Sequence, residues 1–306
     1  MTRVPEGWPA ETEVLSVDLD VRERSDADAA HAVSEAIARV GAHLVDVEDP
    51  EQRVFVKIDS TLRGPIAGLV DGALRASGRS LAVVAPAFPE QGRYIRDGSL
   101  VVGGQTGPSL VDVVGHLDVR VVDAEDTATL ADIARSAANH PEWLLVGSAG
   151  LARQLAPPHA PSRTLADGAG PLLIVAGSPT PVTRAQLEHV PAVDDIVVLA
   201  TPPTDTRDGG QAAAGLATRV AGWAREHTPR AVVLTGGATA REVSHRLGAT
   251  SLRLRGELQP GIPVGTLEDG RWHGVTVVTK AGGFGTPRTL LDVVHAMGVA
   301  SSERRA

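Results

Sequence analysis

The stretch Lys57-Ile-Asp59-Ser60-Thr61-Leu-Arg63-Gly64-Pro65 gathers an acid, two hydroxyls and two cations into one short segment. A second stretch, Ala85-Pro-Ala-Phe-Pro89-Glu-Gln-Gly92-Arg93, ends on another arginine. Arg63 and Arg93 could clamp a carboxylate through their planar forks while Asp59 accepts a hydroxyl proton. Those groups, with Ser60, are what phosphoryl transfer to a sugar acid would need. The plainer alternative is that Asp59 and Ser60 cap a helix and both arginines sit in surface ion pairs.

A different chemistry is written three times in the second half. LLIVAG leads into Gly177-Ser178-Pro179-Thr180 and then Thr183-Arg-Ala-Gln186; AVVLT leads into Gly236-Gly237-Ala238 and then Thr239-Ala-Arg-Glu242. Both continuations read as capping boxes at helix starts. VTVVTK ends in Lys280-Ala-Gly282-Gly283-Phe284-Gly285, with Thr286 expected as N-cap and Pro287 as first helical residue. Each junction combines glycines that let backbone amides approach a ligand, hydroxyls, and the positive end of a helix, which together suit phosphate or nucleotide. One such junction is often only a tight turn. Three on one open sheet can converge on a single crevice. Neither a P-loop nor a clean dinucleotide fingerprint is present.

Of 29 basic residues only Lys57 and Lys280 are lysines. Both could balance charge near a phosphate, or be solvated stems at strand ends. Gly147-Ser148-Ala-Gly150 lacks the nucleophile-elbow pattern, and Ser148 reads as a helix cap. The histidines show no metal-ligand spacing, so no protein-held metal is expected.

Positioning these segments requires alternating strands and helices. Strands are expected at 14–19, 54–59, 81–86, 119–124 and 143–147, with helices at about 26–40, after Pro65, and at about 127–138. Beyond them, strands are expected at 172–177, 195–200, 231–235 and 274–280. Helices follow around Leu216, Val220 and Trp223 and around Leu290, Leu291, Val294 and Met297. The predicted architecture is α/β in two domains, each a mostly parallel sheet covered by helices, with a cleft between them. The proline-rich stretch 157–171 divides a domain at 1–156 from one at 172–306.

The chain has 306 residues, 42% hydrophobic and 22% charged, which excludes a disordered or fibrous protein. A formal net charge of −8 disfavours nucleic acid and membrane surfaces as partners. Zero cysteines exclude disulfides, thiol nucleophiles and Cys-ligated metals. No signal peptide or membrane span is legible, so the expected location is cytoplasmic. The assembly is left open, with room for a homodimer.

Taken in order, KIDSTLRGPI (57–66), APAFPEQGR (85–93), GSAGLA (147–152), AGSPTPVTRAQ (176–186), GGATA (236–240) and KAGGFGTP (280–287) resemble the motifs of the four-carbon acid sugar kinase family. The resemblance runs from about residue 14 to 297. It implies an ATP- and Mg²⁺-dependent kinase acting on a hydroxyl of a tetronate or 3-oxo-tetronate, with the sugar acid on the N-terminal domain and ATP on the C-terminal one. By motif, Ser178, Gly236, Gly237, Ala238, Thr239 and Gly282 would contact ATP, with Thr180 and Gly283 close by. Lys57, Ser60, Arg63 and Arg93 would face the substrate, and Asp59 would be the base. The chain departs from the family in having no acidic D-D-x-T-G-A type loop ahead of VLSVDLDVR. It has Ala281 and Gly283 within the usual K-S-G-N-F-G, Ala238 in place of a common glutamate, and a shortened stretch after Arg93. These departures imply either an upstream start or loss of one edge of the substrate site. In the latter case the chain would be a catalytically impaired nucleotide- or metabolite-binding homologue. An oxidoreductase is disfavoured by the missing dinucleotide fingerprint.

Overall fold

The computed structural model describes residues 14–43, 54–155, 168–202 and 208–298. The chain divides into two compact units, Met1–Pro158 and His159–Ala306. Most of the expected linker, residues 157–167, lies outside the described residues.

In the first unit, chain order is α1 (Asp26–His43), β1 (Phe55–Lys57), α2 (Ile66–Ser77), β2 (Leu81–Ala85), β3 (Arg93–Arg96), β4 (Ser99–Val102) and β5 (Gln105–Ser109). It continues with α3 (Leu110–Val114), β6 (Val119–Val121), α4 (Thr127–Ala137), β7 (Trp143–Gly147) and α5 (Ala149–Leu155). A parallel sheet runs in the order β1-β7-β2-β6. Its register aligns Lys57 and Ala85 with Gly147, so the loops after β1, β2 and β7 leave the same edge. The periodic face of α2 is buried through Ile66, Val70 and Ala73. Its Gly68 and Gly72 admit the backbone of α1 so closely that added Cβ atoms would fall 2.1 Å from the Asp26 carbonyl oxygen and 2.4 Å from that of Ala30.

Residues 14–19 correct one expectation. Their side chains alternate between exposed and half-buried, yet the segment forms no strand ladder. Alternation specifies a side-chain face; a ladder also needs a partner in register. The antiparallel meander β3-β4-β5 was not anticipated, because Gln105–Ser109 is a polar strand. Its turns were legible: Asp97-Gly98 and Gly103-Gly104 carry the paired positive φ angles of two-residue hairpins.

The second unit contains β8 (Leu172–Ala176), α6 (Pro181–Glu188), β9 (Ile196–Ala200), α7 (Gly209–Trp223), β10 (Ala231–Thr235) and α8 (Gly237–Arg246). After them come β11 (Ser251–Gln259), β12 (Ile262–Glu268), β13 (Thr276–Lys280) and α9 (Thr289–Ala296). The sheet order is β11-β12-β13-β10-β8-β9: four strands are parallel, and β12 and β11 add an antiparallel edge that the sequence reading omitted. Leu173, Val175, Val232, Leu234 and Val277 pack on one face. Leu172, Ile174, Ala231, Val233 and Val278 pack on the other. Burial on both faces explains why these strands read as unbroken apolar runs rather than alternating ones.

Candidate functional site

The N-terminal cluster is built around Asp59, directly after β1. Its Oδ1 accepts from the Thr61 amide at 2.8 Å and the Thr61 hydroxyl at 2.5 Å. Its Oδ2 accepts from both Arg22 and Arg63, each at 2.9 Å. Burial by itself pushes the Asp59 carboxyl up, but the Thr61 hydroxyl and amide and the Arg63 guanidinium outweigh it and bring the pKa to about 2. The loop closes tightly: the Leu62 amide bonds back to the Asp59 carbonyl at 3.0 Å, with Leu62 in the left-handed region at φ 60°. Such a residue costs about 1–2 kcal/mol and persists where the surroundings demand it.

Arg93 arrives from the next loop. Phe88 and Arg93 exchange backbone hydrogen bonds around the turn Pro89–Gln91, which fixes the start of β3. From there the Arg93 guanidinium donates to the buried Ser60 hydroxyl. Ser148 is buried, donating its hydroxyl to the Ala87 carbonyl at 2.9 Å and accepting from the Gly150 amide at 3.3 Å. The structure therefore brings Asp59, Ser60, Arg63 and Arg93 onto one sheet edge. It engages Arg63 with Asp59 and Arg93 with Ser60 rather than setting both on a common acceptor. Lys57 is exposed at the end of β1. Arg22 joins the cluster without having been anticipated, since nothing in VDLDVRERSD marks it as a partner of a residue 37 positions away.

On the C-terminal unit the three glycine junctions emerge side by side. Ala176, Thr235 and Lys280, the last residues of β8, β10 and β13, are in register across adjacent parallel strands. Gly236 takes φ 101°, a left-handed conformation suited to glycine, and its amide bonds the Lys280 carbonyl at 2.8 Å. A Cβ on Gly177 would lie 1.8 Å from Thr239 Oγ1, and one on Gly282 would lie 2.1 Å from Ser178 Oγ. Gly237 and Gly283 face open space. Ala238 is exposed and Thr239 buried in the first turn of α8.

The helix starts differ from the expected ones. Thr180, not Thr183, caps α6, accepting from the Thr183 amide at 3.4 Å, with Pro181 in the first turn. Gln186 is no capping partner; fully buried, it donates to the carbonyls of Phe284 at 3.0 Å and Thr286 at 2.8 Å. Gly236, not Thr239, is the cap of α8. Helix α9 begins at Thr289 rather than Pro287, and Thr289 Oγ1 accepts from the Thr286 amide, reversing the expected polarity. In each case the tertiary demands of the adjoining glycine loop override the local pattern.

Lys280 is only 3% exposed, so it is no solvated stem. Its Nζ donates to the carbonyls of Ala281 at 2.7 Å, Phe284 at 3.0 Å and Gly282 at 3.3 Å. Burial pushes its pKa down to about 8.

The residues of this edge fit a phosphate-bearing ligand. The hydroxyls of Thr201, just past β9, and Thr235 are buried with no partner among the described residues, and they flank the Gly177 turn. Open space over Gly237 and Gly283 leaves backbone within reach of a ligand. Among the described residues no group of three or more His, Asp or Glu could cage a metal. No helix among them is long and apolar enough to cross a membrane.

The first unit thus presents arginines and hydroxyls, and the second a glycine-lined strand edge. Family models agree with that division: a sugar-binding N-terminal domain matches residues 3–111, and a nucleotide-binding C-terminal domain matches residues 207–290. The D-threonate kinase of Bordetella bronchiseptica is 31% identical, the match covering 94% of this chain and 87% of that protein. The 3-oxo-tetronate kinase of Methylobacterium radiotolerans is 26% identical, covering 92% and 89%. The chain belongs to the four-carbon acid sugar kinase family. Its fold is shared with a Haemophilus influenzae protein of solved structure, 17% identical with a TM-score of 0.66 over 96% of this chain and 92% of that one.

Proposed function

We propose that this chain is an ATP-dependent kinase that phosphorylates a hydroxyl of a four-carbon sugar acid, a tetronate or 3-oxo-tetronate. The observation that carries the reading is the register of Ala176, Thr235 and Lys280, which sets three glycine junctions along one strand edge beside two buried hydroxyls without a partner among the described residues. The relatives' names supply the acceptor class.

Ser178, Thr180, the turn from Gly236 through Gly237 and Ala238 to Thr239, and Gly282 and Gly283 hold the nucleotide. Their amides and hydroxyls donate to phosphate oxygens, and the α8 N-terminus adds its dipole. Arg22, Arg63 and Arg93 receive the carboxylate and hydroxyls of the sugar acid together with Ser60, and the exposed Lys57 adds positive charge near them. The acceptor hydroxyl forms a new P–O bond to the γ-phosphorus as the bond to the bridging oxygen of ADP breaks, and its proton passes to solvent water. Mg²⁺, carried on the phosphates, would neutralise their charge, since this ion usually keeps most of its ligands as water and phosphate.

Asp59 was the expected base. A carboxylate held near pKa 2 by the Thr61 hydroxyl and amide and the Arg63 guanidinium is a poor proton acceptor at neutral pH, so its proposed role is to anchor Arg22 and Arg63. The test is ADP release by the purified chain with Mg²⁺-ATP, screened against D- and L-threonate, D- and L-erythronate and their 3-oxo forms. Turnover on at least one acid is expected. ATP binding without turnover on any of them would replace this reading with that of a binding-only homologue.

A further inference from the structure

The first turn of the loop after β13 is tied down chiefly through its carbonyls. Besides Lys280, the Gly282 carbonyl accepts from Thr183 Oγ1 at 2.7 Å and Thr180 Oγ1 at 3.2 Å, and the Phe284 carbonyl accepts from Gln186. The Ala281 carbonyl also accepts from the Phe284 amide at 3.1 Å. In a trans peptide the C=O and the following N–H point in opposite directions, and no cis bond is present among the described residues. Carbonyls of Ala281, Gly282 and Phe284 drawn onto one ammonium therefore turn the amides of Gly282, Gly283 and Gly285 away from it. Those three amides have no acceptor among the described residues. The buried cation also polarises the peptides so that their positive ends face outward.

Resting on the nucleotide reading of this edge, we propose that Lys280 is the positioning residue of the phosphate cradle. It never touches the ligand, and it holds the amides of Gly282, Gly283 and Gly285 outward to receive the phosphates. This accounts for a lysine in a chain that otherwise uses arginine almost throughout. A guanidinium is too broad to sit at the focus of three carbonyls, whereas a compact ammonium carries three donors.

The test is calorimetric titration of Lys280→Met with adenosine, ADP and ATP, beside its thermal unfolding. Each of the three carbonyls keeps another donor after the substitution, so the fold is expected to persist. Adenosine affinity should stay within about twofold of wild type while ATP and ADP weaken roughly 10- to 100-fold, the scale of hydrogen bonds to a charged group. An equal loss for all three ligands, or none, overturns the inference and leaves the nucleotide reading standing. A wild-type chain that binds no nucleotide overturns both. Should Lys280→Met not fold, Thr183→Val, which removes one hydroxyl from the same Gly282 carbonyl, must show the same phosphate-dependent loss in smaller measure; an unchanged ATP affinity there overturns the proposal.

Discussion

The two strand edges are built from opposite materials. At the edge after β1 the chemistry is side-chain charge: Asp59 gathers Arg22 and Arg63, and Arg93 leans on Ser60. At the edge after β8, β10 and β13 it is backbone, with charge kept beneath, on Lys280. Exposed arginines can be exchanged or re-aimed at modest cost, because solvent screens them. A backbone cradle has no such slack, since its geometry is fixed by which positions lack a Cβ. The second edge should therefore be the more brittle of the two.

The sharpest break of that comparison is Gly282→Ala. The added methyl would meet Ser178 Oγ at 2.1 Å and Ser178 Cβ at 2.4 Å, so the loop must shift. A displacement on the order of 1 Å at a phosphate cradle is expected to weaken ATP roughly 100-fold. Overpacking should also cost about 1–3 kcal/mol of stability, measurable by denaturant unfolding. Binding of the sugar acid, followed separately by titration, should stay unchanged. Wild-type ATP affinity in this variant would remove Gly282 from the site.

Asp59→Asn asks less of the molecule. It preserves shape and removes the charge that holds two arginines, so KM for the sugar acid should rise roughly tenfold with KM for ATP unmoved. A collapse of kcat at unchanged KM would instead restore Asp59 as the proton acceptor. The pH dependence gives an independent reading. The folded carboxyl, near 2, lies below its unfolded value of 3.8, so its contribution to stability is complete above about pH 4 and is lost as pH falls through about 2. Acid unfolding of wild type should therefore steepen within that window, and Asp59→Asn should flatten it.

The contrast also explains what could be read without coordinates. Parallel strands buried on both faces announce themselves as apolar runs such as LLIVA and AVVLT, and the glycine junctions follow directly from their ends. Asp59, Ser60, Arg63 and Arg93 were legible because their residue types state their chemistry. Arg22 was not, since its role depends on a tertiary approach across 37 positions. Gln186 was misread because a buried amide serving two distant carbonyls has the same local spacing as a capping box. The antiparallel strand β11 lacks the unbroken apolar run that marks the parallel strands; its signal is the weaker alternation of Ser251–Gln259, the pattern of a strand with one face to solvent.

The smallest effect belongs to Leu62, and it tests whether the charged edge has any rigidity of its own. At φ 60° leucine carries a backbone penalty, yet its side chain also packs against the first unit's core. Glycine in its place would relieve about 1–2 kcal/mol of strain but lose that packing and gain unfolded-state entropy. Leu62→Gly should therefore leave stability within about 1 kcal/mol of wild type. What changes is the loop between Asp59 and Arg63, whose geometry the leucine fixes. A two- to threefold rise in KM for the sugar acid at constant stability, on the order of 0.5 kcal/mol, would show that the strain preorganises the arginines. An unchanged KM would mean that the ion pairs with Asp59 hold the loop unaided, and that the charged edge is as tolerant as its exposure suggests.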